Sequence, residues 1–212
     1  MKDIPVFTTE YGIAALVLGE IPYRGEAYIR LQAVVPGKLE ELLTECVGFC
    51  RACGAEKIYA EGENLEGYPL HTVVYEMRGD APEGEIASLW PVTEETLERW
   101  GTVANDRLAG VDNAATITTR LAHEILSSGG AYFVHDRGTL LGIGWVQEDT
   151  MHLLASTVPG MGELVMRTLL TAAGADRIRL EVASTNEKAL RLYEKMGFLP
   201  TAELRRWYRV FG

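Results

Sequence analysis

The chain carries three groups of residues whose types and spacing can do chemistry. The first is the run Asn186-Glu-Lys-Ala189-Leu-Arg-Leu-Tyr193-Glu-Lys-Met196-Gly197-Phe198. A tyrosine phenol, with an ordinary pKa of about 10, can hand a proton to a departing group held within hydrogen-bond reach. The second is Thr157-Val-Pro159-Gly160-Met161-Gly162, where glycines let backbone N–H groups close on an anion at the start of a helix. The third is Cys46, Cys50 and Cys53, a spacing able to hold an iron–sulfur cluster. No Gly-x-Ser-x-Gly elbow, Walker loop or His-Glu-x-x-His is present, and His123-Glu124, lacking a second histidine, reads as helix surface.

These groups need elements to position them. Ile178, Leu180 and Val182 alternate with polar residues, the period of a half-buried strand. Thr185 or Asn186 can cap the helix that follows, and Gly197 stands where a left-handed C-terminal cap is wanted. Ala189, Leu192, Tyr193 and Met196 fall at i, i+3, i+4 and i+7, so Tyr193 read alone is an aromatic on a packed helix face. The cysteines fall at i, i+4 and i+7 and continue the stripe of Leu39, Leu42 and Leu43, with Val47 and Phe49 widening it. That predicts core residues on a helix from about Lys38 to Cys53, and no metal site, because a cluster loop would break the pattern. Three cysteines also argue against a disulfide scaffold.

Elsewhere, strands are expected at 12–18, 26–35, 56–60, 71–77 and 86–92, and helices at 93–108 and 116–126. A hairpin joins 131–134 to 139–146 across Asp136-Arg-Gly138, a strand spans 151–157, a helix runs from Gly162 to near Gly174, and 203–210 closes the chain. The composition, 47% hydrophobic and 24% charged, is that of a globular protein with a sizeable core. A net charge of −10 argues against a nucleic-acid footprint, which needs clustered cations. No apolar run reaches the roughly 18 residues of a membrane span, and the Met1-Lys2-Asp3-Ile4-Pro5 start does not read as a signal peptide. The expectation is a cytoplasmic protein without a membrane or nucleic-acid partner.

The run from Leu180-Glu-Val through Asn186, Ala189-x-x-x-Tyr193 and Gly197-Phe198 resembles the last signature segment of the GNAT superfamily of acyl-CoA-dependent N-acyltransferases. The Thr157–Gly162 loop is similar to the superfamily's Arg/Gln-x-x-Gly-x-Gly/Ala. It departs from that motif at Thr157, and at Pro159, which has no N–H to donate. The resemblance implies transfer of an acetyl group from acetyl-CoA, a co-substrate, to a small-molecule, peptide or protein amine. It implies that Leu154, Ala155 and Ser156 offer backbone groups to the pantetheine arm. Val158, Gly160, Met161, Gly162 and Glu163 would hold the pyrophosphate, and Asn186, Ala189 and Tyr193 would contact the cofactor. Tyr193 becomes the general acid for the leaving thiolate. The superfamily's strand carboxylate is absent from Met151-His152-Leu153-Leu154, which leaves Glu148, His152 or a water chain as base.

The chain also matches itself. Val35-Pro36-Gly37, a helix, Gly54-Ala55-Glu56-Lys57-Ile58 and Glu61 align with Val158-Pro159-Gly160, a helix, Gly174-Ala175-Asp176-Arg177-Ile178 and Glu181. Leu39 stands where the second glycine would be, so no cofactor is expected on the first copy. With turn-rich residues 79–84 as the boundary, the expected architecture is α/β with a mixed central sheet flanked by helices. A truncated, degenerate GNAT-like lobe at 1–82 precedes a complete one at 83–212. A monomer or homodimer suits it. The alternative is a non-catalytic acyl-CoA-binding or scaffold protein that retains the fold.

Overall fold

The computed structural model describes residues 5–81 and 83–212. In chain order its elements are β1 (Val6–Thr9), β2 (Gly12–Val17), α1 (Ile21–Arg24), β3 (Glu26–Val34), α2 (Leu39–Ala52), β4 (Lys57–Glu61), β5 (Leu70–Asp80) and β6 (Ser88–Pro91). A 3-10 turn at Glu94–Thr96 leads into α3 (Leu97–Leu108), followed by α4 (Thr119–Ser128), β7 (Ala131–Asp136), β8 (Thr139–Gln147) and β9 (Thr150–Ser156). The last elements are α5 (Gly162–Leu170), β10 (Arg177–Ala183), α6 (Glu187–Lys195) and β11 (Leu199–Phe211). No described helix is long and apolar enough to cross a membrane. The structure adds β1 and the one-turn α1 to the expected elements. It extends the strand expected at 71–77 to Asp80 and the closing strand to 199–211.

The chain forms two compact units, one of residues up to Val73 with Arg205–Gly212, the other Val74–Leu204. The sequence instead puts its boundary at 79–84. The contacts divide the chain inside β5, between Val73 and Val74, and inside β11, between Leu204 and Arg205, where the sequence carries no turn signal.

In the first unit the strand order is β1-β2-β3-β4-β11. β3 and β4 are parallel, joined through α2, and pair from Glu26↔Lys57 to Arg30↔Glu61, the full length of β4. Cys46 and Cys50 are fully buried on α2 beside Ala27, Ile29 and Ile58. Burial pushes their thiols up to about 12 and about 11, so both are protonated at neutral pH. Cys53 is exposed at the helix end, unlike the core residue expected. Among the described residues no group of three or more His, Cys, Asp or Glu side chains is arranged to hold a metal.

In the second unit the order is β5-β10-β9-β8-β7-β6, an antiparallel meander with one parallel pair, β9 and β10, joined through α5. Alternation sorts the strand residues onto two faces. Val134, Leu141 and Met151 pack with Val165, Leu169 and Tyr193 of α5 and α6, while Phe133, Ile143, Leu153 and Ala155 pack with Trp100, Ala104 and Ile125 of α3 and α4. Gly142 and Gly144 let α5 sit flush on β8: an added Cβ would stand 2.8 Å from a Val165 methyl or 2.3 Å from a Leu169 methyl.

Candidate active site

Two features of β9 open a cleft in the second unit. The first is a bulge. Trp145 of β8 faces Leu153 and Val146 faces Met151, so His152 has no partner across the ladder. Bulges of this kind re-aim side chains and release backbone groups beside functional sites. The second is a splay. β9 and β10 pair only at Thr150↔Arg179 and Met151↔Leu180, and beyond Met151 they part. Thr157 N–H donates to Leu141 O, so by alternation Ala155 also faces β8, while the backbone groups of Leu154 and Ser156 face the gap. The first unit's parallel pair has no such parting along β4.

The cleft has a volume of about 390 Å³. Its walls bring together His152 and Leu154 of β9, Asn186 and Tyr193 of α6, Arg179 and Glu181 of β10, Trp145 of β8, and the segment from Leu108 to Ile117. Asn186 both lines the cleft and caps α6, its Oδ1 accepting from the N–H of Ala189 at 3.2 Å. Tyr193 is 7% exposed, its ring 6.3 Å from that of Phe198. Burial pushes its phenol up to about 12. The His152 ring stacks on Trp145 at 4.1 Å between centroids. Its pKa lies below the ordinary histidine value, held there by burial first and the Arg179 charge second, against opposing pulls from Glu181 and Asp149.

The loop after β9 turns through Gly160, whose φ of 83° is in the left-handed region. α5 begins at Gly162 with Met161 as its N-cap, and a helix leaves its first N–H groups without intrahelical partners. Thr157 is turned away from the loop, its hydroxyl donating to Leu140 O at 2.6 Å. Ser156 closes the loop by donating to Val158 O at 2.7 Å, and the same carbonyl accepts from Met161 N–H at 3.2 Å. Arg107, at the end of α3, donates its guanidinium to Thr157 O and so brings a positive charge to a loop that lacks its own. Lys195 beside Glu163 holds that carboxyl below the usual range, with Arg167 adding to it.

No protein-family model matches the chain, and no curated protein matches its sequence. Solved structures do match its fold. A GCN5-related N-acetyltransferase from Kribbella flavida superposes with a TM-score of 0.60 at 13% identity, over 100% of this chain and 91% of that one. The chain has the GNAT fold. A GCN5-related N-acetyltransferase from Sphaerobacter thermophilus gives 0.54 at 13% identity, over 93% and 75% of the two chains. A GNAT-family acetyltransferase from Colwellia psychrerythraea gives 0.53 at 12%, over 96% and 84%.

Within this GNAT fold the expected site residues separate. Tyr193, Asn186, His152 and Leu154 line one cleft. Gly160, Met161, Gly162 and Glu163 form the loop and first turn of α5, but the Met161 N–H is spent inside the turn. Val158 contributes a carbonyl acceptor there, and the Ala189 N–H is bound by the cap. Ala155, expected at the pantetheine arm, is buried on the α3–α4 side with its backbone toward β8. Glu148 sits in the β8–β9 turn with a φ of 53°, exposed and outside the cleft lining. Asp112, Trp145 and Arg179 also line the cleft, with no motif to mark them, and Glu181, read in the sequence as the Glu of the Leu180-Glu-Val strand, joins them. Arg179 and Glu181 stand two apart on one strand face, a signal present in the sequence.

Proposed function

We propose that the protein transfers an acetyl group from acetyl-CoA to a primary amine by direct attack of the amine on the thioester. The observation that carries this reading is the parting of β9 and β10 past Met151, with His152, Asn186 and Tyr193 on its walls. Acetyl-CoA supplies the activated acetyl group. Leu154 and Ser156 offer backbone groups along the strand edge to the pantetheine arm. The N–H groups of Gly160, Gly162 and Glu163 meet the pyrophosphate, with Arg107 adding the charge that Thr157 lacks. Backbone N–H groups at the bulge donate to the thioester oxygen as it gains charge. His152 takes the proton from the attacking nitrogen and passes it to solvent. Tyr193 gives its proton to the sulfur, so a C–N bond forms as the C–S bond breaks.

His152 is the better of the two candidate bases because it lies in the cleft and is neutral at pH 7. Protonation removes its function, so kcat/KM should fall as pH drops through its pKa, below the ordinary value of about 6.5. In the pH profile His152→Gln should abolish this acid limb and cost about 10²-fold in rate, while Glu148→Gln stays within about twofold of wild type. The reverse pattern would make Glu148 the base.

The reading of the co-substrate is tested by calorimetric titration with acetyl-CoA. Micromolar binding to the wild type, lost in Gly162→Glu, is the expected result, because a carboxylate at the helix start repels phosphate. No binding to the wild type would refute the reading. Binding without turnover on any amine would leave a non-catalytic acyl-CoA-binding protein. We further read β3–α2–β4 as a truncated second copy of β9–α5–β10. The support is that both are parallel crossovers and their sequences match in order.

A further inference from the structure

We infer that Arg179 is a positioning residue for the reaction: a cation fixed on the sheet face that carries His152, it keeps that imidazole unprotonated and so able to act as base. The inference rests on the acetyl-transfer reading, in which His152 accepts the proton of the attacking amine. Thr150 and Arg179 are partners in the short β9–β10 ladder, at the root of the parting. The Arg179 side chain spans that rung, donating to Thr150 Oγ1 from Nη2 at 3.0 Å and from Nε at 3.4 Å. On its other side Nη1 stands 3.8 Å from Glu76 of β5. Held from both neighbouring strands, the planar guanidinium has little freedom to swing away. Ile178, Leu180 and Val182 of β10 pack in the core with α5 and α6, so alternation puts Arg179 on the opposite face. Met151 packs in that same core, but Leu153 packs with α3 and α4. β9 therefore changes sense at the His152 bulge, and His152 and Arg179 line one cleft.

The charges around His152 show what Arg179 does. Glu181 of β10 and Asp149 of the β8–β9 turn favour a protonated ring, and Arg179 is the cation that opposes them. Burial acts in the same direction as Arg179. Asp112 and the phenol of Tyr193 are the other titratable groups on the cleft walls, and Asp112 and Glu181 have partners of their own. Glu76 does not cancel Arg179, because it is bound more closely to Arg78, at 2.8 Å, and to the Thr201 hydroxyl, at 2.9 Å. Without Arg179, the charged side chains lining the cleft beside His152 are carboxylates. The ring then binds a proton at higher pH, and less of it is free base near neutrality.

The test follows the His152 ring proton by NMR across a pH titration of the protein alone, its resonance identified by its loss in His152→Gln. The wild-type midpoint should lie below the ordinary histidine value of about 6.5. Arg179→Met should raise it by about half to one pH unit, the effect of one nearby charge in a partly solvated site. Arg179→Lys, which keeps the charge and loses the fork, should restore most of the difference. Thiol release from acetyl-CoA, with spermidine, 2-phenylethylamine and a lysine-containing peptide as trial acceptors, supplies the second readout. In Arg179→Met the acid limb of kcat/KM should move up by the same amount. That is a loss of about three- to tenfold well below the midpoint, recovering to within about threefold of wild type at pH 8, a recovery that damage to the fold would not show. Calorimetric binding of acetyl-CoA should stay within about twofold. A midpoint unmoved in Arg179→Met would overturn the inference and leave the transferase reading intact. So would a midpoint that rises while the acid limb stays. Absence of acetyl-CoA binding to the wild type would instead overturn the transferase reading, and this inference with it.

Discussion

Tyr193→Phe should lower kcat by about 10²- to 10³-fold, the range for loss of a positioned proton donor, while acetyl-CoA binds within about twofold of wild type. The substitution removes one oxygen and keeps the ring, which packs in the core with Phe198 and Met196. Fold and cleft shape should therefore survive, and circular dichroism checks that they do. Burial holds the phenol at about 12, so it is protonated throughout the working range and contributes no limb to the pH profile near neutrality. An exposed thiol near 8.5 would be a poor match for so weak an acid. A thiolate in the same buried surroundings pays the same desolvation cost, however. Burial lifts the chain's own Cys46 and Cys50 to about 12 and about 11. In the proposed reaction a leaving thiolate held in similarly buried surroundings would be raised in the same direction, which narrows its mismatch with the phenol. A Phe variant within about threefold of wild-type kcat would show that the proton comes from elsewhere.

The parts of this site that were legible in the sequence are the ones local interactions decide. The helix face bearing Tyr193 and the left-handed Gly197, with φ of 86°, stand as their spacing predicted, and of the two candidate caps, Thr185 and Asn186, it is Asn186 that caps α6. Each needs only residues within a few positions. The bulge at His152 was not legible, because Met151 to Ala155 reads as an ordinary strand until its register against Trp145 and Val146 is known. The same holds for Asp112 and Glu181, which meet in one cleft only through the packing of α3, α4 and β10. The strand β1 spans four residues, none of them buried, too short a run for a periodic signal. β5 ran past the expected boundary for another non-local reason. Gly79 reads as a turn residue in isolation, yet in the structure it pairs with Ile178 and leaves space for an aromatic ring.

That ring is Phe198, and Phe198→Ala should cost the second unit about 3–5 kcal/mol. The side chain is 0% exposed and packs in the core with Met77, Leu180 and Tyr193. Its N–H also donates to Tyr193 O at 2.9 Å, tying the end of α6 to β11. Because the chain forms two units, a single denaturation midpoint need not report on either. Amide exchange at Leu180 and Val182 of β10 reads the second unit directly. A Cβ on Gly79 would stand 2.6 Å from the Phe198 ring. Gly79→Ala in the wild type should therefore overpack and destabilise by about 1–3 kcal/mol. In the Phe198→Ala background the ring is gone, and the same methyl should be neutral or stabilising. The double-mutant cycle would then show a coupling of the same order. Additive losses would mean that ring and glycine are not in contact, and that β5 reaches Asp80 for some other reason. The cycle also bears on catalysis. If Phe198 supports Tyr193 through packing, Phe198→Leu should retain most of the stability but lower kcat without changing the binding of acetyl-CoA.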